Sequence, residues 1–175
     1  MGMCCVRLAA CVASGEREST LELYRFEAPA MGTLFRCSVF APDEGQAREA
    51  WEAAIARVLE LETVASDYDA GSELRRLCER PVGEWTVVSV DLMRLLRRSK
   101  EICELTGGAF DPTVGPYVRL WRRARRSGAL PEAKRIESVA SSVGMEVVEL
   151  GEGRVRLLAE GMRLDLGGVR SEEHT

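Results

Sequence analysis

Residues 21–28 (Leu-Glu-Leu-Tyr-Arg-Phe-Glu-Ala) and 33–40 have strand-like composition and are separated by Pro29-Ala30-Met31-Gly32. They predict two paired strands around a glycine-containing connection. After Pro42-Asp43 the period changes. Ala47, Ala50, Trp51, Ala54, Ile55, Val58, Leu59 and Leu61 recur at helical spacing, which predicts a long helix with its apolar face on the sheet. Residues 66–71 carry turn formers and no period, and Ser72 stands where it can cap a short helix beginning Glu73-Leu74. Residues 85–89 predict a short strand, and Asp91 a cap for the helix that contains Leu92, Leu95, Leu96, Ile102 and Leu105. Gly107-Gly108 ends that helix. Residues 118–126 predict another helix, and Pro131 opens one more that runs to Val143 and closes at Gly144. Residues 145–150, 155–158 and 162–166 then predict three short strands in an antiparallel meander. Strands and helices mixed through hairpin-length connections mean α+β, with antiparallel sheets packed with helices. A parallel doubly wound sheet would need a helical crossover between successive strands.

Composition narrows the partners. A chain of 175 residues, 46% hydrophobic, can build one sizeable core, and a net charge of -4 gives no general basic field to attract a nucleic-acid backbone. Nucleic acid is therefore excluded as an expected partner. The local basic cluster, Arg119, Arg122, Arg123, Arg125 and Arg126, falls on one predicted helix and reads first as a solvated face, with a phosphate contact as the minority reading. Six cysteines show neither Cys-x-x-Cys pairs nor the density of a disulfide scaffold, and Cys37 and Cys103 sit at apolar positions of a strand and a helix. Leu8-Ala9-Ala10-Cys11 looks like a bacterial lipobox, with Arg7 interrupting the apolar stretch that should precede it. Either the start is truncated or mis-called, or the match is chance; no run reaches the roughly 18 apolar residues of a membrane span, so any membrane link is expected to be a lipid anchor at Cys11 rather than a span.

The densest chemistry lies in Gly107-Gly108-Ala109-Phe110-Asp111-Pro112-Thr113-Val114-Gly115-Pro116. Gly107-Gly108 alone is a helix C-cap. The two prolines that follow fix their own φ and push Asp111 and Gly115 toward extended geometry, making a rigid loop suited to ligand binding. Asp67 and Asp69 resemble a metal-binding Asp-x-Asp, but a hard cation needs more converging oxygens than these, and no metal site is assigned.

With this loop, Met31-Gly32-Thr33, Ser66-Asp67-Tyr68, Ser72-Glu73-Leu74, Leu120-Trp121 and Asp165-Leu166-Gly167-Gly168 follow one another in an order that resembles the FAD:protein FMN transferase (ApbE) family. The resemblance covers about residues 24–169 and implies a T-fold-like ApbE domain, incomplete at its C-terminal side. It implies an FAD site lined by Met31, Tyr68, Ala109, Phe110, Asp111 and Gly167. The residue types suit those roles: an aromatic ring to cover a flavin face, an adaptable methionine, loop amides for polar edges, and a carboxylate to accept from a ribose hydroxyl or ring N–H. Core packing for Tyr68 and Met31, and a turn or cap role for Asp111, are the plainer alternatives. Asp165 reads as a turn residue at the point where the family's backbone enters its active site.

After Val169 the pattern breaks. Arg170-Ser171-Glu172-Glu173-His174-Thr175 lacks the family's Ala-Lys-Gly continuation and reads as a foreign tail like a translated sequencing adapter, which removes the only histidine as a general base. The expected division is residues 1–20 as a signal or linker remnant, 21–169 as a partial flavin transferase domain, and 170–175 as the tail. The resemblance implies Mg2+-dependent transfer of FMN from FAD to a threonine hydroxyl of a target flavoprotein in the bacterial periplasm. Its metal ligands are expected just past Gly168 and in a missing C-terminal half, and the catalytic residues are unassigned, so this fragment alone is expected to be inactive. The alternatives are an FAD pyrophosphatase and a non-catalytic flavin-binding module.

Overall fold

A computed structural model describes residues 5–6 and 20–169; the Leu8-to-Cys11 motif and the tail with His174 lie outside the described residues. The chain forms two compact units, divided between Glu62 and Thr63.

In the first unit, β1 (Cys5–Val6), β2 (Glu22–Ala30) and β3 (Thr33–Ala41) form a sheet in the order β1-β3-β2. β1 runs parallel to β3, whereas β2 and β3 pair antiparallel from Glu22↔Ala41 to Ala30↔Thr33. The ladder therefore takes in Pro29 and Ala30, which the sequence reading left in the connection. β2 is the outer strand here, where the missing proline N–H costs no ladder bond. The connection shrinks to Met31 and Gly32, with φ of 50° and 69°. Positive φ at both positions is the two-residue hairpin turn whose twist matches that of the strands. Glycine adopts it freely; for Met31 the left-handed region costs about 1–2 kcal/mol. The long helix α1 (Glu44–Ala65) starts where Asp43 Oδ1 accepts the Gln46 amide at 2.9 Å. As expected, its apolar face meets the sheet. Ala47 and Trp51 pack on Cys37, Val39 and Ala41, and the Trp51 ring stacks on Phe26 with centroids 5.9 Å apart.

The second unit holds α2 (Glu73–Leu77), β4 (Thr86–Val87), α3 (Val90–Leu105), α4 (Gly115–Ser127), α5 (Ala133–Ala140), β5 (Val148–Leu150) and β6 (Arg154–Leu157). Ser72 caps α2 as expected, its hydroxyl accepting the Arg75 amide at 3.1 Å. The cap of α3 is Ser89, not Asp91. Ser89 has extended backbone and accepts the Leu92 amide at 3.1 Å, while Asp91 falls inside the first turn. Residues 145–147 form a 3-10 turn rather than the start of a strand.

The predicted three-stranded meander is a two-stranded hairpin, β5-β6, whose other edge is taken by β4 in the order β4-β6-β5. Residues 162–166 remain extended, with Met162, Leu164 and Leu166 buried at 1–2% exposure. Their backbone pairs elsewhere. Val114 bridges Arg163 in parallel, and the Asp165 amide donates to Pro112 O at 2.7 Å. With β4 already on β6, the loop at 112–114 is the partner left for this segment. The core joins those three residues to Leu74, Leu77, Leu92, Leu96, Val148, Val155 and Leu157. Each such side chain contributes about 1.5–3 kcal/mol before ordering costs are set against it. The α+β class stands. Among the described residues no helix is long and apolar enough to cross a membrane.

Candidate functional site

All the geometry that follows lies in the second unit, apart from Met31. Gly107 and Gly108 take φ of 59° and 84° beyond the end of α3, turning the chain back so that the Gly108 amide donates to Cys103 O at 2.9 Å. Thr106 then holds the next residues. Its carbonyl accepts the Ala109 amide at 3.2 Å and its hydroxyl the Phe110 amide at 3.1 Å. Asp111 Oδ1 accepts both the amide and the hydroxyl of Thr113, at 2.8 and 2.6 Å. Thr113 is fully buried, and its hydroxyl also accepts the Gly144 amide at 2.6 Å. The loop is thus locked from within before any ligand arrives.

The segment ending in Asp165-Leu166-Gly167-Gly168 lies against this loop. A Cβ on Gly168 would stand 2.7 Å from Phe110 Cε2, so only glycine lets the ring rest on the turn. Gly115 is equally constrained, because a Cβ there would run into the carbonyl and Cβ of Arg163. Asp165 Oδ1 accepts the Gly167 amide at 2.9 Å and shapes the turn.

A third loop carries Tyr68. Ser66 Oγ accepts the amides of Tyr68 and Asp69 at 3.3 and 3.1 Å, Asp69 Oδ1 accepts the Gly71 amide at 2.8 Å, and the Ser72 hydroxyl donates to Ser66 O at 2.5 Å. The backbone is fixed while Tyr68 itself stays 74% exposed. Arg122 of α4 ties this loop to the turn at 165–168. Its Nη1 lies 2.7 Å from Asp67 Oδ2, its Nη2 3.6 Å from Asp165 Oδ2, and its guanidinium stacks 4.2 Å from the Tyr68 ring centroid. Burial, the largest influence on Arg122, opposes its charge, but the Asp67 hydrogen bond and charge, with Tyr68 and Asp165, outweigh it and hold the pKa above its ordinary value. Three segments distant in sequence therefore converge: the loop at 106–116, the turn at 165–168 and the Tyr68 loop.

The model of the ApbE family matches residues 31–171, most of the chain and all three segments. The chain belongs to the ApbE family. Among curated proteins it is 29% identical over 147 residues to the FAD:protein FMN transferase of Treponema pallidum (strain Nichols), covering 79% of this chain and 41% of that protein. To the protein of the same description from Klebsiella pneumoniae (strain 342) it is 27% identical over 150 residues, covering 84% and 46%. The chain thus spans less than half the length of these relatives. Among solved structures, the ApbE protein of Thermotoga maritima matches at TM-score 0.74 and 28% identity, over 85% of this chain and 48% of that one. The apo flavinyl transferase ApbE of Pseudomonas stutzeri matches at TM-score 0.76 and 20% identity over 86% and 48%, which speaks to the fold.

Within this ApbE fold, Tyr68, Ala109, Phe110, Asp111 and Gly167 all fall on the three converging segments. Met31 lies in the other unit, at the positive-φ turn of its hairpin and on an open depression with Pro29, Thr33, Leu34 and Glu62. Two physical roles need revision. The amides of Ala109 and Phe110 are already engaged by Thr106, and one oxygen of Asp111 is engaged by Thr113, so both the local turn role and a remaining acceptor, Oδ2, belong to Asp111. Asp67 and Asp69 face an arginine and a turn amide rather than each other, and among the described residues no three His, Cys, Asp or Glu side chains converge as metal ligands. Sequence reasoning missed Arg122 and underrated Asp165. Arg122 is one of five arginines on its helix, and only the tertiary fold distinguishes it. Cys37 is a core residue as expected, and Cys103 is half-buried.

Proposed function

We propose that this ApbE chain supplies the flavin-contacting part of an FAD:protein FMN transferase. The observation that carries this reading is the exposed Tyr68 ring, held on a fixed loop beside the locked segments of Phe110-Asp111 and Gly167-Gly168. Arg122 covers one face of that ring, which leaves the other for an isoalloxazine. Asp111 Oδ2 is the acceptor for a ribose hydroxyl or flavin N–H. Met31 is kept as a flavin contact because it bears backbone strain at a position where a hairpin turn would accept glycine without cost.

The reaction would join a threonine oxygen of the target flavoprotein to the phosphorus of the FMN half of FAD. The pyrophosphate P–O bond to AMP breaks, AMP leaves, and the threonine proton passes to a base. Mg2+ would neutralise charge developing on the phosphates. The described residues do not form a ligand set for it, so no step is assigned to them through the metal; its ligands are proposed to come from the remainder of the parent protein. The Leu8-to-Cys11 motif supports a lipid-anchored, periplasm-facing protein, and a diacylglyceryl mass on Cys11 is the check, with an unmodified thiol on the mature protein opposing it.

FAD titrated into the full-length parent should show saturable quenching of flavin fluorescence. Tyr68→Ala and Asp111→Ala should each weaken it, by about tenfold for the loss of a stacked aromatic or a charge-assisted hydrogen bond. Quenching curves that coincide with wild type in both variants would remove the site assignment.

A further inference from the structure

A second arginine centre in the same unit is built in the opposite way. Arg75 of α2 and Arg163 of the extended segment both reach one oxygen of Glu79: Arg75 Nη2 lies 3.3 Å and Arg163 Nη2 3.9 Å from Oε1. Gly115, at the start of α4, abuts the carbonyl and Cβ of Arg163, and Arg119, one helical turn further along, adds a third positive charge that acts on Arg163. Among the described residues Glu79 is the one carboxylate paired with Arg75 and Arg163, it is itself half exposed, and Arg119 has no carboxylate partner. Three positive charges against one negative leave a surplus of two.

The hydrogen bonding is equally incomplete. Arg75 spends Nη1 on Asp67 O at 3.3 Å and Nη2 on Glu79, but its Nε is buried without a partner. Arg163 Nη1 is also buried without a partner, and the 3.9 Å approach of its Nη2 to Glu79 is too long for a hydrogen bond. The side chains of Arg75 and Arg163 are only 21% and 20% exposed. Buried donors of this kind are rare, and they mark a place where an ion or water completes the structure. Burial lowers the Arg163 pKa, and the charges of Arg75 and Arg119 lower it further than Cys78 and Glu79 raise it. The centre thus lacks negative charge as well as acceptors.

We propose that Arg75, Arg119 and Arg163 form a binding site for a phosphate-class oxyanion. A phosphate group carries about 1.5–2 negative charges at neutral pH and three acceptor oxygens, which matches both the surplus charge and the orphaned donors. A carboxylate would supply about half to two-thirds of that charge and one acceptor oxygen fewer. Planar guanidinium forks suit such an oxyanion better than they suit a single chloride. The source is either free phosphate or the phosphate of a mononucleotide. The site stands apart from the flavin reading, since none of its three arginines is a proposed flavin contact.

The test is calorimetric titration of the full-length protein with inorganic phosphate, at ionic strength held constant with chloride. Saturable binding is expected, weakened by at least about tenfold in Arg163→Gln through loss of a charge-assisted contact. Arg119→Gln, a change at an exposed position that leaves the core untouched, should weaken it about threefold or more by removing one neighbouring charge. Arg126→Gln, also on α4 but outside the cluster, should bind as wild type does. Binding that does not saturate, or that persists unchanged in both Arg163→Gln and Arg119→Gln, overturns the proposal. AMP in place of phosphate separates the sources: tighter binding identifies the mononucleotide and equal binding free phosphate, the site standing in either case. FAD quenching measured on the same variants should be unaltered, so failure of this site and failure of the flavin site are read separately.

Discussion

Arg122 and Arg163 are both half-buried cations, one reaching the extended segment at 162–166 and the other belonging to it, yet their surroundings are reversed. Asp165, a partner of Arg122, and Arg163 itself stand two residues apart in extended chain, so they share the face opposite Met162, Leu164 and Leu166. Around Arg122 two carboxylates and an aromatic face surround one guanidinium. Around Arg163 two guanidinium groups share the one carboxylate of Glu79, and the charge of Arg119 adds a third positive group. Burial opposes the charge of both arginines, and still the pKa of Arg122 rises while that of Arg163 falls. Partners, not depth, decide whether a buried charge is settled. The first centre is a clasp that fixes Tyr68; the second has charge and donors to spare for a ligand.

The largest expected effect comes from breaking the backbone that both centres share. Gly115 abuts the carbonyl and Cβ of Arg163, and a side chain there would push the 162–166 segment off the loop at 112–114. Gly115→Val should cost about 2–4 kcal/mol in urea unfolding, as overpacking against immobile backbone does. A loss under about 0.5 kcal/mol, typical of an unconstrained surface site, would show that the approach is looser than described. Arg122→Gln is the next test. It leaves Asp67 and Asp165, with side chains 18% and 19% exposed, without their cation, and should cost about 1–2 kcal/mol while freeing the Tyr68 ring. Arg163→Gln in phosphate-free buffer should have the opposite sign or none, because it relieves repulsion from Arg75 and Arg119. If the two substitutions cost the same in parallel denaturation curves, the contrast between the centres is void.

How much of this was legible in the sequence depends on how local the cause was. The hairpin, α1 and the Ser72 cap follow from short-range signals: strand composition, helical spacing and a capping hydroxyl. The segment from Gly107 to Pro116 was legible as a rigid loop because two glycines and two prolines dictate backbone angles on their own. The errors came where distant elements compete. Residues 162–166 alternate as a strand should, but whether they pair with β6 or with the loop at 112–114 depends on β4 having taken the β6 edge. Ser89 and Asp91 are both capping residues, and the phase of the helix chose between them. Arg122 was hidden among five arginines, since its distinction lies in Asp67 and Asp165, remote from it in sequence. Arg75, Arg119 and Arg163 sit on three different elements and could not be read as a group before those elements were packed.

The smallest expected effect is the sharpest test of the unbalanced centre. Arg119 is exposed and makes no carboxylate contact among the described residues, so Arg119→Gln removes no packing and no ion pair, only one positive charge facing Arg163. In phosphate-free buffer the change in stability should lie within about 0.5 kcal/mol, on the stabilising side, as for surface sites that break no specific contact. Its salt dependence identifies the cause. Raising the salt from about 0.01 M to about 0.15 M shortens the screening length from about 30 Å to about 8 Å, so the gain should shrink as the repulsion it relieves is screened. Denaturation curves of wild type and variant should therefore converge with salt. A gain that persists at the higher salt would place its origin in helix propensity rather than charge, and a loss of stability at low salt would mean that Arg119 has an acidic partner and that the surplus of charge has been overcounted.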